Sequence, residues 1–318
     1  EMALAARNSG GLVIAQVRRI AQNGTLRPHD VRVPGILVDV IVEAPDQLQT
    51  TATAYDPAIS GELFRPLNTF RTPEFNPAKV IARRVAQELQ AGWAVNIGFG
   101  ISANVPRVLL EEGQHGKVTW VIEQGAVGGI PLLDFKFGCA SNAEAFVASP
   151  HQFSYFQAGG FDCSLLSFLE IDAEGSVNVS RLSATPHRTA GAGGFVDITT
   201  RARKIVFSGN FNAGAKMHLE GGRLVIDREG KVAKIVQKVD QVSFSGRRAV
   251  AQGQDITYVT ERCVLRLTGD GLMVTEIAPG MDLQRDILDQ AATPLRVAEN
   301  LQTMAACLFH EPKFGLIL

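Results

Sequence analysis

The chain has 318 residues, 46% of them hydrophobic, with 31 basic and 32 acidic side chains and a formal net charge of -1. That length supports one large or two medium domains with real cores, and the near-neutral balance lacks the basic stripe of a nucleic-acid binder. No apolar run approaches membrane-spanning length and no secretory leader pattern opens the sequence, so neither nucleic acid nor membrane is an expected partner. Cys139, Cys163, Cys263 and Cys307 are far apart with no C-x-x-C, which reads as reduced thiols in a cytoplasmic protein.

Residues 1–7 suit a helix, closed by the turn Asn8-Ser9-Gly10-Gly11. Strands are expected over 12–17 and, after Pro34-Gly35, over 36–42. Residues 44–75 are rich in Thr and Pro without a period and read as a connector, which puts a boundary near Pro73 and divides the chain into 1–73 and 74–318. Asn76 caps and Pro77 opens a helix to residue 90, with Val80, Ile81, Val85 and Leu89 on its apolar face. A strand at 94–97, a glycine turn over 98–103 and a short helix at 104–112 follow, then a β-branched and aromatic strand over 118–122. Helix, strand, helix, strand is the rhythm of a parallel sheet.

Beyond Pro131 the pattern changes. A short helix is expected at 142–148, and the runs 165–171 and 177–179 flank Asp172-Ala173-Glu174-Gly175, a hairpin signal. A second glycine loop spans 191–197 and a strand 204–208. Further hairpins are marked by Glu220-Gly221-Gly222, Glu229-Gly230 and Gly269-Asp270-Gly271, and Asp282 caps a helix to residue 290. The expected fold class is α/β, a mostly parallel open sheet flanked by helices with an antiparallel, hairpin-rich portion from residue 165.

Several catalytic templates are absent: there is no G-x-S-x-G, no H-E-x-x-H, no P-loop and no clustered Cys/His set, and the six histidines are scattered. Two features remain. Gly98-x-Gly100-x-x-Ala103 lies between a strand and a helix, where backbone N–H groups can meet phosphate. Glu123 closes the next strand and is followed by Gly125, Gly128, Gly129 and Pro131. Together they fit a dinucleotide site, with the acid on ribose hydroxyls. They also fit a nucleophilic carboxylate, which needs no activating base and would use the glycine-rich segment behind it for oxyanion donors, a segment that a ribose-binding acid does not need. On the residues alone both readings stay open, an NAD-dependent oxidoreductase and a covalent acyl-transfer site, with a non-catalytic nucleotide-binding module as a third.

Glu123-Gln124-Gly125-x-x-Gly128-Gly129, after Asn96-x-Gly98-x-Gly100-Ile101, resembles the second catalytic half of the family I CoA-transferases, in the subgroup of acetate or propionate CoA-transferases acting on short-chain acyl-CoA. Gly193-Gly194-Phe195-Val196-Asp197-Ile198, Gly209-x-Phe211-x-Ala213-Gly214, Glu261-Arg262 and Glu276-Ile277-Ala278-Pro279-Gly280 fit the same family in the same order. Residues 7–42, with Val33-Pro34-Gly35, resemble the end of the first half. Gln124 stands where relatives often carry Ser or Asn, and Ser102 where many have Pro, differences that bear on fine specificity.

The resemblance implies a ping-pong transfer of CoA from a short-chain acyl-CoA to a free carboxylate such as acetate, through a glutamyl-CoA thioester on Glu123. It implies Gly193 and Gly194 as oxyanion donors and Gly98, Phe99, Gly100, Ile101 and Ser102 as the acyl-CoA pocket. Gln124 and Gly125 would lie beside the substrate and Lys216 would meet a CoA phosphate. CoA enters as a substrate, with no metal or other cofactor. The chain begins at Glu1 in what reads as a helix end. An amino-terminal half, on the same or another chain, is therefore an expected partner, together with acyl-CoA, short-chain carboxylic acids and further copies in a homo-oligomer.

Overall fold

A computed structural model describes residues 1–185 and 187–318, without the side chain of Phe135. The described chain divides into two compact units, Glu1–Asp56 and Pro57–Leu318. Residues 57–73, expected as connector, belong to the larger unit.

In the smaller unit a helix, α1 (Met2–Asn8), precedes a parallel pair of strands, β1 (Ile14–Val17) and β2 (Val40–Glu43), with Ile14 opposite Val40. Asp39 fixes the start of the pair by accepting the Val13 N–H at 2.9 Å and pairing with Arg7. The second strand begins later than expected, because Gly35–Leu37 forms a 3-10 turn after Pro34.

The larger unit is built on one ten-stranded sheet. Its elements in chain order are α2 (Pro77–Ala86), β3 (Ala94–Ile97), α3 (Val105–Glu111), β4 (Thr119–Val121), β5 (Ala126–Val127), β6 (Ala145–Phe146), α4 (Ser149–Ala158) and β7 (Cys163–Ser167). Then come α5 (Phe195–Arg201), β8 (Lys204–Ser208), α6 (Gly246–Ala251), β9 (Asp255–Val259), β10 (Cys263–Thr268), β11 (Gly271–Ile277) and β12 (Arg296–Thr303). Across the sheet the order is β12-β11-β10-β9-β8-β7-β3-β4-β5-β6. The centre, from β9 to β4, is parallel, and the pairs β9–β10, β10–β11, β4–β5 and β5–β6 are antiparallel. The fold is the mostly parallel α/β sheet expected from the helix–strand rhythm.

Alternation along the strands gives the sheet two buried faces. Val206 of β8 and Trp120 of β4 join the core beneath α2 and α3, while Ile205, Phe207 and Val121 join the aromatic core with Phe156 of α4 and Phe195 of α5. α2 is buried beyond its apolar face: Lys79, Arg83 and Arg84 are 4%, 0% and 6% exposed. Such cations are tolerated only when paired. Lys79 meets Glu111 at 2.8 Å, and Arg84 meets Glu88 at 3.0 Å and Glu276 at 2.6 Å. Arg83 donates to the carbonyls of Leu308, His310, Glu311 and Pro312, which straps the carboxy-terminal tail to the helix.

Three expectations are corrected. No helix forms at 142–148. Asn142 sits at φ 61° with its amide spanning the backbone of Arg65, residues 145–146 join the sheet as β6, and the helix starts at Ser149 with Pro150 in its first turn. Glu229-Gly230 turns the chain between two sheets and does not close a hairpin, since Asn212–Ala213 pairs with Val232–Ala233. The helix capped by Asp282 is a π-helical turn, Gln284–Leu288, with Asp282 Oδ1 accepting the Arg285 N–H at 2.8 Å. The hairpins at Asp172–Gly175, Glu220–Gly222 and Gly269–Gly271 form.

Candidate active site

Glu123 stands two residues beyond β4, in the tight turn that folds β4 onto β5. The Gly125 N–H donates to the Ile122 carbonyl at 2.9 Å and the Ile122 N–H to the Ala126 carbonyl at 3.0 Å. Gly125 has φ +111°, and a Cβ there would lie 1.9 Å from the Val147 carbonyl oxygen, so only glycine lets the two backbones meet. Ser149 Oγ donates to the Glu123 carbonyl oxygen at 3.2 Å, tying the turn to the start of α4. The side chain is half-buried and aimed by its neighbours. Gln124 Nε2 donates to Oε1 at 3.2 Å, and the Gly194 N–H hydrogen-bonds the carboxylate. A Cβ on Gly194 would come within 2.7 Å of Oε2 and 2.6 Å of the Phe153 ring, so the loop before α5 approaches the carboxylate as closely as a backbone can.

Burial pushes the Glu123 carboxyl above its ordinary range, and the Gly194 N–H pulls it back less strongly. No cation contributes to the balance. The result is a basic carboxylate with a fixed direction, facing a cavity of about 510 Å³.

The cavity gathers Glu123, Gln124, Gly98, Phe99, Gly100 and Gly193. Gly194 stands beside it against the carboxylate. Gly125 is buried under the turn. Ile101 packs into the core beneath α2 and α3, and Ser102 is wholly buried with its Oγ accepting from Ser208 Oγ at 3.1 Å, so neither lines the cavity. Lys216 stands exposed at the start of the Lys216–Arg228 hairpin, outside the cavity. The α3 N-terminus is closed as well, since Val105 and Pro106 are buried and a 3-10 turn, Ile101–Asn104, precedes them. The glycine turn therefore borders the Glu123 cavity without presenting a helix end to a phosphate.

Asn96, quoted only within the family motif, and three wall residues were given no role from the sequence. Asn96, fully buried in β3, donates to the Val121 carbonyl at 3.1 Å and accepts from Ser164 Oγ at 2.8 Å, so it ties β3 to both neighbours just below Glu123. A polar residue inside an apolar strand was the available signal. Phe168 and Val179 line the cavity from the expected runs 165–171 and 177–179, and Phe137 from a segment whose sequence carries no period. Among the described residues no group of three or more His, Cys, Asp or Glu could hold a metal, and no helix is long and apolar enough to cross a membrane. All four cysteines are free.

No protein-family model matches the chain. It is 42% identical over 320 residues to the caffeate CoA-transferase of Acetobacterium woodii, covering 99% of this chain and 61% of that protein. It is 37% identical over 319 residues to the acetate CoA-transferase YdiF of Escherichia coli K12, covering 100% of this chain and 60% of that protein. The crystal structure of the O157:H7 YdiF acyl-CoA transferase, as a thioester complex with CoA, matches at a TM-score of 0.89 and 36% identity over 100% of this chain and 59% of that one. The beta subunit of acetate CoA-transferase from E. coli K12 is 29% identical over 213 residues, 64% of this chain and 86% of the subunit. On these likenesses the chain belongs to the family I CoA-transferases. Within that family it matches the carboxy-terminal part of the single-chain relatives and spans about three-fifths of their length.

Proposed function

We propose that this chain carries the nucleophile of an acyl-CoA:carboxylate CoA-transferase and that the nucleophile is Glu123. The observation that carries the reading is the carboxylate itself, half-buried, free of any cation, aimed into the cavity and touched by the N–H of Gly194. A Glu123 oxygen attacks the thioester carbonyl of a short-chain acyl-CoA such as acetyl-CoA. The C–S bond breaks, CoA leaves as thiolate, and an acyl-glutamyl anhydride remains. The thiolate then attacks the Glu123 carbonyl, the anhydride C–O bond breaks, and the acid departs as carboxylate, leaving a glutamyl-CoA thioester. An incoming carboxylate runs the steps backwards and takes the CoA. Charge is conserved at each step with no net proton or electron transfer, so the chemistry calls for neither a metal nor a redox cofactor.

Gly194, and Gly193 before it, suit the oxyanion that forms on Glu123 when its own carbonyl is attacked, because the donor is already in contact with that oxygen. Gly98, Phe99, Gly100 and Gln124 face the substrate. Apolar walls keep water from an anhydride that hydrolysis would waste. The rest of the site is expected from the amino-terminal part that the longer relatives possess, on the same polypeptide or as a separate subunit, since one relative is itself a beta subunit. The test is mass spectrometry of the protein, with that part present, after incubation with acetyl-CoA. A CoA adduct mapping to Glu123 and trapped by borohydride is expected; CoA linked elsewhere, or absent from an active preparation, overturns the mechanism.

A further inference from the structure

The turn that carries Glu123 springs from short strands. β4 has three residues and β5 two, and the two strands meet at a single pair, Val121 with Val127. So few ladder bonds leave the base of the turn in need of a further anchor if the carboxylate is to keep one direction.

The sheet supplies that anchor from its centre. In register, Ser164 of β7 stands opposite Asn96 of β3, and Asn96 opposite Val121 of β4. The row continues to Ile205 of β8. Its end members, Val121 and Ile205, pack in the aromatic core, whereas Asn96 and Ser164 between them are polar and 0% exposed. An amide or hydroxyl buried there without a partner would lose its hydration for nothing in return. A carbonyl can only accept, so the amide turns Nδ2 toward Val121 and leaves Oδ1 for the hydroxyl. Asn96 Nδ2 donates to the Val121 carbonyl at 3.1 Å, and Ser164 Oγ donates to Asn96 Oδ1 at 2.8 Å. Both side chains lie wholly inside the larger unit, so polypeptide added at its surface does not reach these bonds.

We infer that Asn96 is a positioning residue of the transfer reaction: its amide, oriented by Ser164, holds the last carbonyl of β4 so that Glu123, two residues on, keeps the direction in which it attacks the thioester. The inference rests on the reading of Glu123 as the nucleophile. Asn96 acts through the backbone, and the step it governs is the chemical one, where misplacement by about 1 Å costs on the order of a hundredfold. Loss of the amide should therefore fall on kcat and leave KM for acyl-CoA nearly unchanged.

The test uses the protein with its amino-terminal part present and follows turnover of acetyl-CoA, and formation of the Glu123 adduct, from about pH 8 down to about pH 6. Asn96→Leu keeps the shape and removes the donor; kcat is expected to drop by at least about tenfold, with KM within about twofold of the parent. Asn96→Asp keeps the shape but donates only when protonated, since the ionised form sets a negative oxygen against the Val121 carbonyl. Its rate relative to the parent should climb by at least about threefold as pH falls through this range, while that of Asn96→Leu stays flat. Ser164→Ala frees the amide to turn and should lower kcat by about threefold. Parental kcat in Asn96→Leu, or the same relative rate for Asn96→Leu and Asn96→Asp at every pH, would make Asn96 a packing residue and overturn the inference. Should Asn96→Leu fail to fold, a pH-independent ratio in Asn96→Asp together with parental kcat in Ser164→Ala overturns it instead. Those results with the Glu123 adduct present in the parent sink this inference alone; no Glu123 adduct in the parent removes the transferase reading and the inference with it.

Discussion

On the proposed mechanism Glu123 works by position, so changes of reach and charge should separate. Glu123→Asp withdraws the carboxylate by one methylene, and a displacement of about 1 Å is expected to lower kcat by on the order of a hundredfold. Glu123→Gln removes the nucleophile, and transferase rates at the parent level in a preparation checked for deamidation would end the covalent mechanism. Gly194→Ala places a methyl 2.7 Å from Oε2 and against the Phe153 ring, so it should reduce kcat by at least about tenfold while circular dichroism stays that of the parent. The raised carboxyl sets the acid limb. Activity needs the ionised form, so kcat/KM should fall as pH drops through a value above 4.5, the ordinary glutamate value. The same shift makes the folded state bind more protons than the unfolded chain between 4.5 and the folded value, so its contribution to stability declines as pH rises through that window. At neutral pH Glu123→Gln should unfold at a higher urea midpoint than the parent.

The elements around the site are held by buried charge. Arg83 has its guanidinium between the rings of Phe75 and Phe314 and its donors on four tail carbonyls. Glu112 accepts the N–H groups of Phe314, Gly315 and Leu316. The tail is thus fastened to α2 and α3, the helices on either side of β3 and the glycine turn. Arg83→Met leaves those carbonyls without donors and is expected to cost on the order of 3 kcal/mol in urea unfolding, with amide exchange rising first in residues 306–318. Unchanged exchange there would show that the strap is idle. On the carboxyl side of the sheet, Lys234 lies 4.1 Å from the centre of the Phe168 ring, and burial lowers its pKa to about 8. Between that value and 10.5 the unfolded chain binds the extra proton, so stability should rise with pH over this interval, and Lys234→Met should flatten the rise.

At the scale of the molecule the two units differ in how much they bury. No residue of Glu1–Asp56 is buried, and Leu12, Ile14, Ile36, Ile41 and Leu48 are all more than half exposed. A parallel pair such as β1 and β2 normally has both faces covered. We propose that further polypeptide of the longer relatives' kind covers them, and that residues 1–73 close the first half while 74–318 form the second. Limited proteolysis of the 318-residue chain alone should cut within residues 1–56 before the larger unit, and protection should return when the amino-terminal part is supplied. Equal resistance of the two units in the isolated chain would argue against that cover.

Features decided over a few residues were legible in the amino-acid order. The strands at 94–97 and 204–208 stand where the runs of Ala94–Ile97 and Lys204–Ser208 put them, Asn76 and Asp282 accept the N–H groups of Lys79 and Arg285, and the carboxylate of Glu123 closes β4 in front of its glycines. These follow from pleat, capping and turn chemistry, which act locally. Tertiary structure decided what depends on partners far along the chain. It replaced the helix at 142–148 by an edge strand, because hydrogen bonds with Gly125, Val127 and Arg65 outweighed helix propensity. It buried Arg83 against carbonyls 225 to 229 residues away and set Gly194 against Glu123 from about 70 residues further on. It also walled the cavity with Phe137, which no period marks. A rim carboxylate can be read from its own turn, whereas the groups that meet it and the cavity before it exist only once the sheet has brought separate loops to one edge.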